Sequence, residues 1–184
     1  SYFFITRFFA KLRLHIQQKT GTIAERQGVD EMQIEKTCCV TGHRGLAPYR
    51  LRQAEDALRT EIARAISDGF THFISGFAEG ADLLFAQLVV EYRHQYPLTL
   101  EAAIPYPARL QNRDPRFQAL LAQCDAVQVH SPQYFRGCFM IRNHYMVDHS
   151  QRVIAVYDGR SGGGTAATIR YARQMGIPVC WVPV

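Results

Sequence analysis

From residue 37 onward, short apolar runs alternate with longer segments whose apolar residues recur every three to four positions. The runs at 37–41 (TCCVT), 71–75 (THFIS), 98–104, 126–130, 152–157 (RVIAVY) and 177–182 predict strands, because they are short and bounded by turn residues. Between them, helical periodicity predicts helices at 52–67, 79–96, 115–123, 138–150 and 165–175. In the first of these, Ala54, Leu58, Ile62, Ala65 and Ile66 fall on one face. Asp68-Gly69 and Gly176 supply helix stops, since glycine accepts the left-handed cap.

Strand and helix in this rhythm predict an α/β fold: a Rossmann-like, mostly parallel sheet with helices on both faces. The strands RVIAVY and IPVCWV are continuously apolar, as strands covered on both sides should be. No internal repeat or low-complexity segment interrupts the pattern.

Residues 1–36 break from it. Phe4, Phe8, Leu12 and Ile16 recur every four residues, Arg7, Lys11, Arg13 and Lys19 are basic, and no acid precedes Glu25. Three readings stand: an interfacial membrane helix, a helix packed on the domain or a partner, and a dispensable extension. Met32, just ahead of the first strand, favours the third. The segment lacks the clean apolar region and small-residue cleavage site of a secretory signal. The expected organisation is an N-terminal extension over 1–36 and a ligand-binding domain over 37–184.

Composition narrows the picture modestly. The chain has 184 residues, 47% hydrophobic and 20% charged, which excludes a disordered, collagenous or disulfide-miniprotein class. The net charge of +5 is scattered and does not by itself point to nucleic acid. The five cysteines form no CxxC pair, so no metal site is expected and reduced, buried thiols in a cytoplasmic protein are. Cys38 and Cys39, adjacent in a strand, should face opposite sides of the sheet. No apolar stretch is long enough to cross a bilayer.

Ligands of such sheets bind beyond the carboxyl ends of the strands, so three loops hold the candidate site. The first is Thr41-Gly42-His43-Arg44, where glycine permits a tight turn, Arg44 can fork onto a phosphate and His43 can bind or exchange a proton. The second runs from Ser75 and Gly76 to Glu79, Gly80 and Asp82, at the entry to a helix whose free N–H groups attract anions. Its two acids are either helix caps or contacts to a ribose, a metal or a water. The third runs from Asp158 through Gly162, Gly163 and Gly164 to Thr165; its successive amides suit a phosphate cradle. It matches neither the Walker A loop nor GxGxxG. Arg142 and Asn143 lie on the helix before RVIAVY, with Met146 and Ser150 on the face of Arg142. His144 and His149 do not have the spacing of a metal pair.

The ordered motifs TCCVTGHRGL, FISGFAEGADLLFA, AAIPY, RNHYMVD and IAVYDGRSGGGTAATIRYA resemble the SLOG superfamily, most closely its YpsA-like branch. The resemblance covers about 37–182. The superfamily includes the LOG phosphoribohydrolases, the DprA DNA-processing proteins and proposed nucleotide sensors. It implies a Rossmann-like domain binding a nucleotide or nucleotide-derived, phosphate-bearing ligand, here as a sensor or regulatory domain.

Arg142 and Met146 match an Arg–Met spacing of the LOG enzymes. Gly164-Thr165 match their PGGxGTxxE loop, but Thr168 stands where that loop carries its catalytic Glu, and the leading Pro is absent. No catalytic residue or cofactor is therefore assigned. One alternative is a hydrolase cleaving an N-glycosidic bond, with Glu79 or Asp82 as its carboxylate. Another is single-stranded DNA binding, carried by Tyr106, Arg109, Arg113, Arg116 and Phe117. Homo-oligomerisation is compatible with the resemblance.

Overall fold

A computed structural model describes residues 35–184. The expected N-terminal helix and its apolar face lie outside the described residues. The elements follow the order β1 (Lys36–Gly42), α1 (Pro48–Ser67), β2 (Phe70–Ser75), α2 (Ala81–Tyr92), β3 (Thr99–Ile104), a 3₁₀ turn (Pro107–Gln111), α3 (Pro115–Leu121), β4 (Ala126–Val129), α4 (Cys138–Asp148), β5 (Arg152–Tyr157), α5 (Gly163–Gln174) and β6 (Val179–Pro183).

The six strands form one sheet in the order β4-β3-β2-β1-β5-β6, with every neighbouring pair parallel. The chain steps outward from β1 to β4, then crosses back over β1 to β5 and continues outward to β6. Right-handed crossovers running in opposite directions must carry their helices on opposite faces. Accordingly α1, α2 and α3 pack on one face, where Leu58, Ile62, Phe85, Leu88 and Phe117 meet Cys38, Val40, Leu100 and Ile154. On the other face Met146 and Val147 of α4 and Ala172 of α5 meet Cys39, Ile74, Ala103 and Val153. Cys38 and Cys39 thus belong to opposite cores, as strand alternation requires.

Several boundaries differ from the pattern-based expectation, each for a local reason. The second helix spans Ala81–Tyr92 rather than 79–96: Gly80 caps its start with φ 83°, and Pro97 disfavours helix for the residue before it. The last helix begins at Gly163, so two of the three loop glycines form its first turn. The first helix extends back to Pro48, a residue pre-set for the first helical position. The 3₁₀ turn was not legible in the apolar pattern. The final strand starts at Val179, after a turn in which the Ile177 amide donates to the Ala172 carbonyl. Among the described residues, no helix is long and apolar enough to cross a membrane.

Candidate functional site

The strand order reverses between β1 and β5, and the loops leaving those two strands diverge to open a crevice. A cavity of about 360 Å³ lies there, walled by β1 and its loop, the start of α2, one face of α4 and the first turns of α5. His43 joins the two loops beside it: its Nε2 donates to Asp158 Oδ1 across 2.8 Å. Asp158 also receives the Arg160 guanidinium. The Arg160 and His43 contacts hold its carboxyl well below the usual range, against a smaller opposing effect of desolvation.

The α4 wall follows helical spacing. Phe139, Arg142, Asn143 and Met146, at positions i, i+3, i+4 and i+7, all face the cavity. Arg142 is only 3% exposed. Its Nη1 donates to the Gly76 carbonyl and, at 3.3 Å, to the Ala103 carbonyl. Its Nε is buried without a partner among the described residues. Asp82, 6% exposed, has Oδ2 3.8 Å from Nη1 and accepts from the Ala78 amide at 3.3 Å. Burial raises the Asp82 carboxyl above its ordinary value despite the opposing pull of Arg142, the Ala78 amide and Arg44. Burial likewise lowers Arg142, and repulsion from Arg44 and Arg109 adds to it. A guanidinium stays protonated even so. The cavity therefore gathers Arg142 and Arg44 around one acid that burial already disfavours as an anion.

Of the expected site residues, Thr41, Gly42, His43, Arg44, Asp82, Arg142, Asn143, Gly164 and Thr165 line the cavity. Ser75, Gly76, Glu79, Gly80, Asp158, Gly162 and Gly163 do not. Most of these serve the wall from behind. The Ser75 hydroxyl donates to the Asp82 carbonyl at 2.9 Å and pins the β2–α2 loop. A methyl group on Gly76 would overlap the Arg142 guanidinium, so the missing side chain is the seat of that arginine. A methyl group on Gly42 would strike Ala81 and lie 3.0 Å from Val156 Cβ. The close approach that Gly42 and Gly76 permit is thus to the protein's own side chains. Gly80 packs against the first loop, 2.6 Å from the His43 carbonyl to its would-be Cβ.

Glu79 is exposed, which leaves Asp82 as the carboxylate of that loop on the cavity wall. Around Gly162, Gly163 and Gly164 the space is open, with no atom within 4 Å of a would-be Cβ.

Six further residues line the wall, namely Cys39, Val40, Ala78, Phe139, Met146 and Thr168, and three of them bear on its chemistry. Thr168 is buried; it donates to the Gly164 carbonyl at 2.9 Å and accepts from Asn143 Nδ2 at 2.8 Å, so its hydroxyl is committed to holding α4 and α5 together. Cys39 reaches the wall, but burial pushes its thiol up to about 12, so it is no nucleophile at neutral pH. Phe139 carries the Arg44 guanidinium over its ring, 4.7 Å from the centroid. Its position i+3 before Arg142 was the available signal. Phe117, expected as an exposed stacking residue, is instead fully buried, edge-on to Phe77 at 5.4 Å. The inward face of α3 is apolar, and the core takes it.

The model of the YspA SLOG family matches residues 39–176. The chain belongs to the YspA SLOG family. Among curated relatives of this SLOG chain, the UPF0398 protein of Bacillus pumilus is 25% identical over 154 residues, covering 76% of this chain and 82% of that protein. The UPF0398 protein of Bacillus thuringiensis is 26% identical over 132 residues, covering 65% and 69%. DNA processing protein A (DprA) from Streptococcus pneumoniae superposes with a TM-score of 0.63 at 17% identity, over 82% of this chain and 51% of that one. The SLOG chain thus spans about half the length of that DprA. The molybdenum cofactor carrier protein from Chlamydomonas reinhardtii superposes with a TM-score of 0.53 at 17% identity, over 80% and 75%. These likenesses establish a Rossmann-like fold.

Proposed function

We propose that the cavity binds the phosphate of a nucleotide or nucleotide-derived ligand and that the domain acts as a sensor or regulatory module. The observation that carries this reading is the orphaned Nε of Arg142, buried in the cavity wall. Leaving a buried donor unpaired costs about 1–3 kcal/mol, more for a charged group, and an anionic oxygen in the cavity relieves it. Arg44 supplies a second cation, and the open first turn of α5 supplies free amides and the positive end of its dipole. Family membership agrees with a binding role, as do structural neighbours that bind single-stranded DNA or the molybdenum cofactor.

Nucleotide hydrolysis is the second reading, because Asp82 places a buried carboxyl with a raised pKa in the cavity. Against a LOG-type reaction stands Thr168, whose neutral hydroxyl cannot stabilise an oxocarbenium-like centre as a carboxylate does. Isothermal titration with nucleoside 5′-monophosphates, combined with chromatography for released base, tests both readings. Binding without base release, weakened more than tenfold in Arg142→Met, is the expected result. Affinity unchanged in a folded Arg142→Met protein refutes the phosphate assignment. Metal-independent base release that disappears in Asp82→Asn replaces the sensor reading with the enzymatic one.

A further inference from the structure

Three aromatic rings stand together, one of them on the cavity wall. Phe139 is on the wall itself. Tyr106 meets Phe139 edge-on at 6.0 Å between centroids, Tyr134 meets Phe139 at 6.4 Å, and the two tyrosines meet each other at 5.4 Å. The interplanar angles of 83°, 69° and 71° make this a herringbone cluster, the arrangement favoured by aromatic quadrupoles. The rings come from three separate segments: the turn after β3, the loop before α4, and the first turn of α4. Yet Tyr134 remains 62% exposed, although its ring is held on two sides. Burial therefore does not account for its place there.

Arg44 completes the cluster. Its guanidinium lies over Phe139, and among the described residues it has no carboxylate partner within ion-pair distance. A guanidinium plane backed by a ring on one side offers its other face for stacking.

We propose that Tyr106, Tyr134, Phe139 and Arg44 form a base-stacking subsite, so that the ligand class is a mononucleotide recognised through its planar base as well as its phosphate. This rests on the reading of the neighbouring cavity as the phosphate site. The spacing suits it: Phe139 lies three residues, ~4.5 Å of helix rise, from Arg142 along the same face of α4, a gap that one ribose bridges. Stacking is tolerant of base identity, since every base has a π-face. The subsite therefore distinguishes nucleotides from sugar phosphates without selecting strongly among purines.

Titration of the full chain with adenosine 5′-monophosphate, ribose 5-phosphate and inorganic phosphate tests the subsite. The wild-type protein is expected to bind the nucleotide at least about tenfold more tightly than ribose 5-phosphate, the lower part of the range for stacking one base. Tyr134→Ala is expected to reduce nucleotide affinity toward that of ribose 5-phosphate and leave the latter unchanged, while Tyr134→Phe retains tight binding. Because Tyr134 is exposed, truncation leaves the core intact, which circular dichroism verifies. Equal wild-type affinity for nucleotide and ribose 5-phosphate overturns the subsite but leaves the phosphate site standing. The same holds if Tyr134→Ala weakens both ligands equally. Failure of all three ligands to bind refutes the phosphate reading and the subsite with it. Tight binding of an oligothymidylate with none of the mononucleotide overturns the subsite in favour of single-stranded DNA.

Discussion

Gly76→Ala probes the support of the site with the smallest available change. The added methyl group would overlap the Arg142 guanidinium, lying 2.5 Å from Cζ and 2.6 Å from Asp82 Oδ2. Neither neighbour is the free end of a surface chain: Arg142 is 3% exposed and Asp82 6%. The guanidinium has to leave its seat, and its hydrogen bonds to the Gly76 and Ala103 carbonyls go with it. Overpacking costs about 1–3 kcal/mol, and a hydrogen bond involving a charged group contributes about 1.5–3 kcal/mol. Together they predict a loss of about 3–5 kcal/mol, less a few tenths regained because alanine restricts the unfolded chain. For a chain of this size that is a fall in Tm of about 10 °C.

Thermal and urea unfolding followed by circular dichroism measure it, with Gly162→Ala as the control. Gly162 has φ −106° and open space around its would-be Cβ, so that variant should stay within about 1 kcal/mol of the parent. A Gly76→Ala protein that melts with the wild type refutes the proposed seat of Arg142. A stability loss with undiminished nucleotide affinity refutes its role in holding the ligand.

Gly163→Val places a β-branched residue at φ 91° in the first turn of α5; nucleotide affinity measured by titration should fall more than tenfold with the fold retained. Asp82→Asn removes the one acid on the cavity wall, so affinity for inorganic phosphate should rise several-fold while Tm falls, because Arg142 loses its buried counter-charge. His130 governs acid sensitivity. Burial lowers its pKa, outweighing the attraction of Glu101, so the fold prefers the neutral ring. The unfolded chain takes up that proton near pH ~6.5, and stability should therefore decline as pH falls below that value. His130→Phe keeps a ring against Tyr145, which lies 4.0 Å away between centroids, and should flatten the decline below about pH 6.5 in pH-dependent urea unfolding. At more acidic pH Glu101 adds a second loss. Burial opposes its ionisation, but the His72 and Tyr145 hydrogen bonds outweigh burial and lower its pKa, and that stabilisation disappears as pH falls through the lowered value.

The strand-helix alternation was legible because both faces of this sheet are covered. Runs such as RVIAVY must be apolar throughout, and α1 must present Ala54, Leu58, Ile62 and Ala65 to a single core. Strand order was a different matter: nothing in the residues of β5 says that it lies beside β1 rather than β4. That placement follows from crossover handedness and from which face each helix covers. Within the site, position at strand ends or helix starts pointed to Arg44, Asp82 and Thr165, whereas Arg142, in the middle of α4, stood out only through the Arg–Met spacing that the chain shares with the LOG enzymes. The glycines were harder to read. A glycine after a strand carries the same letter whether its missing side chain admits a phosphate or, as at Gly76, seats an arginine 66 residues away in the chain.

Thr168 brings the two kinds of information together. As a departure from the PGGxGTxxE pattern it reads as a missing carboxylate. In the fold its hydroxyl spans Asn143 on α4 and the Gly164 carbonyl in the first turn of α5. It therefore ties the helix that carries Arg142 to the helix whose N-terminus opens on the cavity, where a hydrolytic site would need charge. A carboxylate at this position would put a second anion on the wall that already holds Asp82 and offset the two arginines. With threonine the wall keeps its surplus of positive charge, which favours holding an anion over cleaving a bond beside it. The same residue that weakens the case for hydrolysis thus strengthens the case for phosphate binding. Both follow from one substitution of a neutral hydroxyl, hydrogen-bonded on both sides, for an acid.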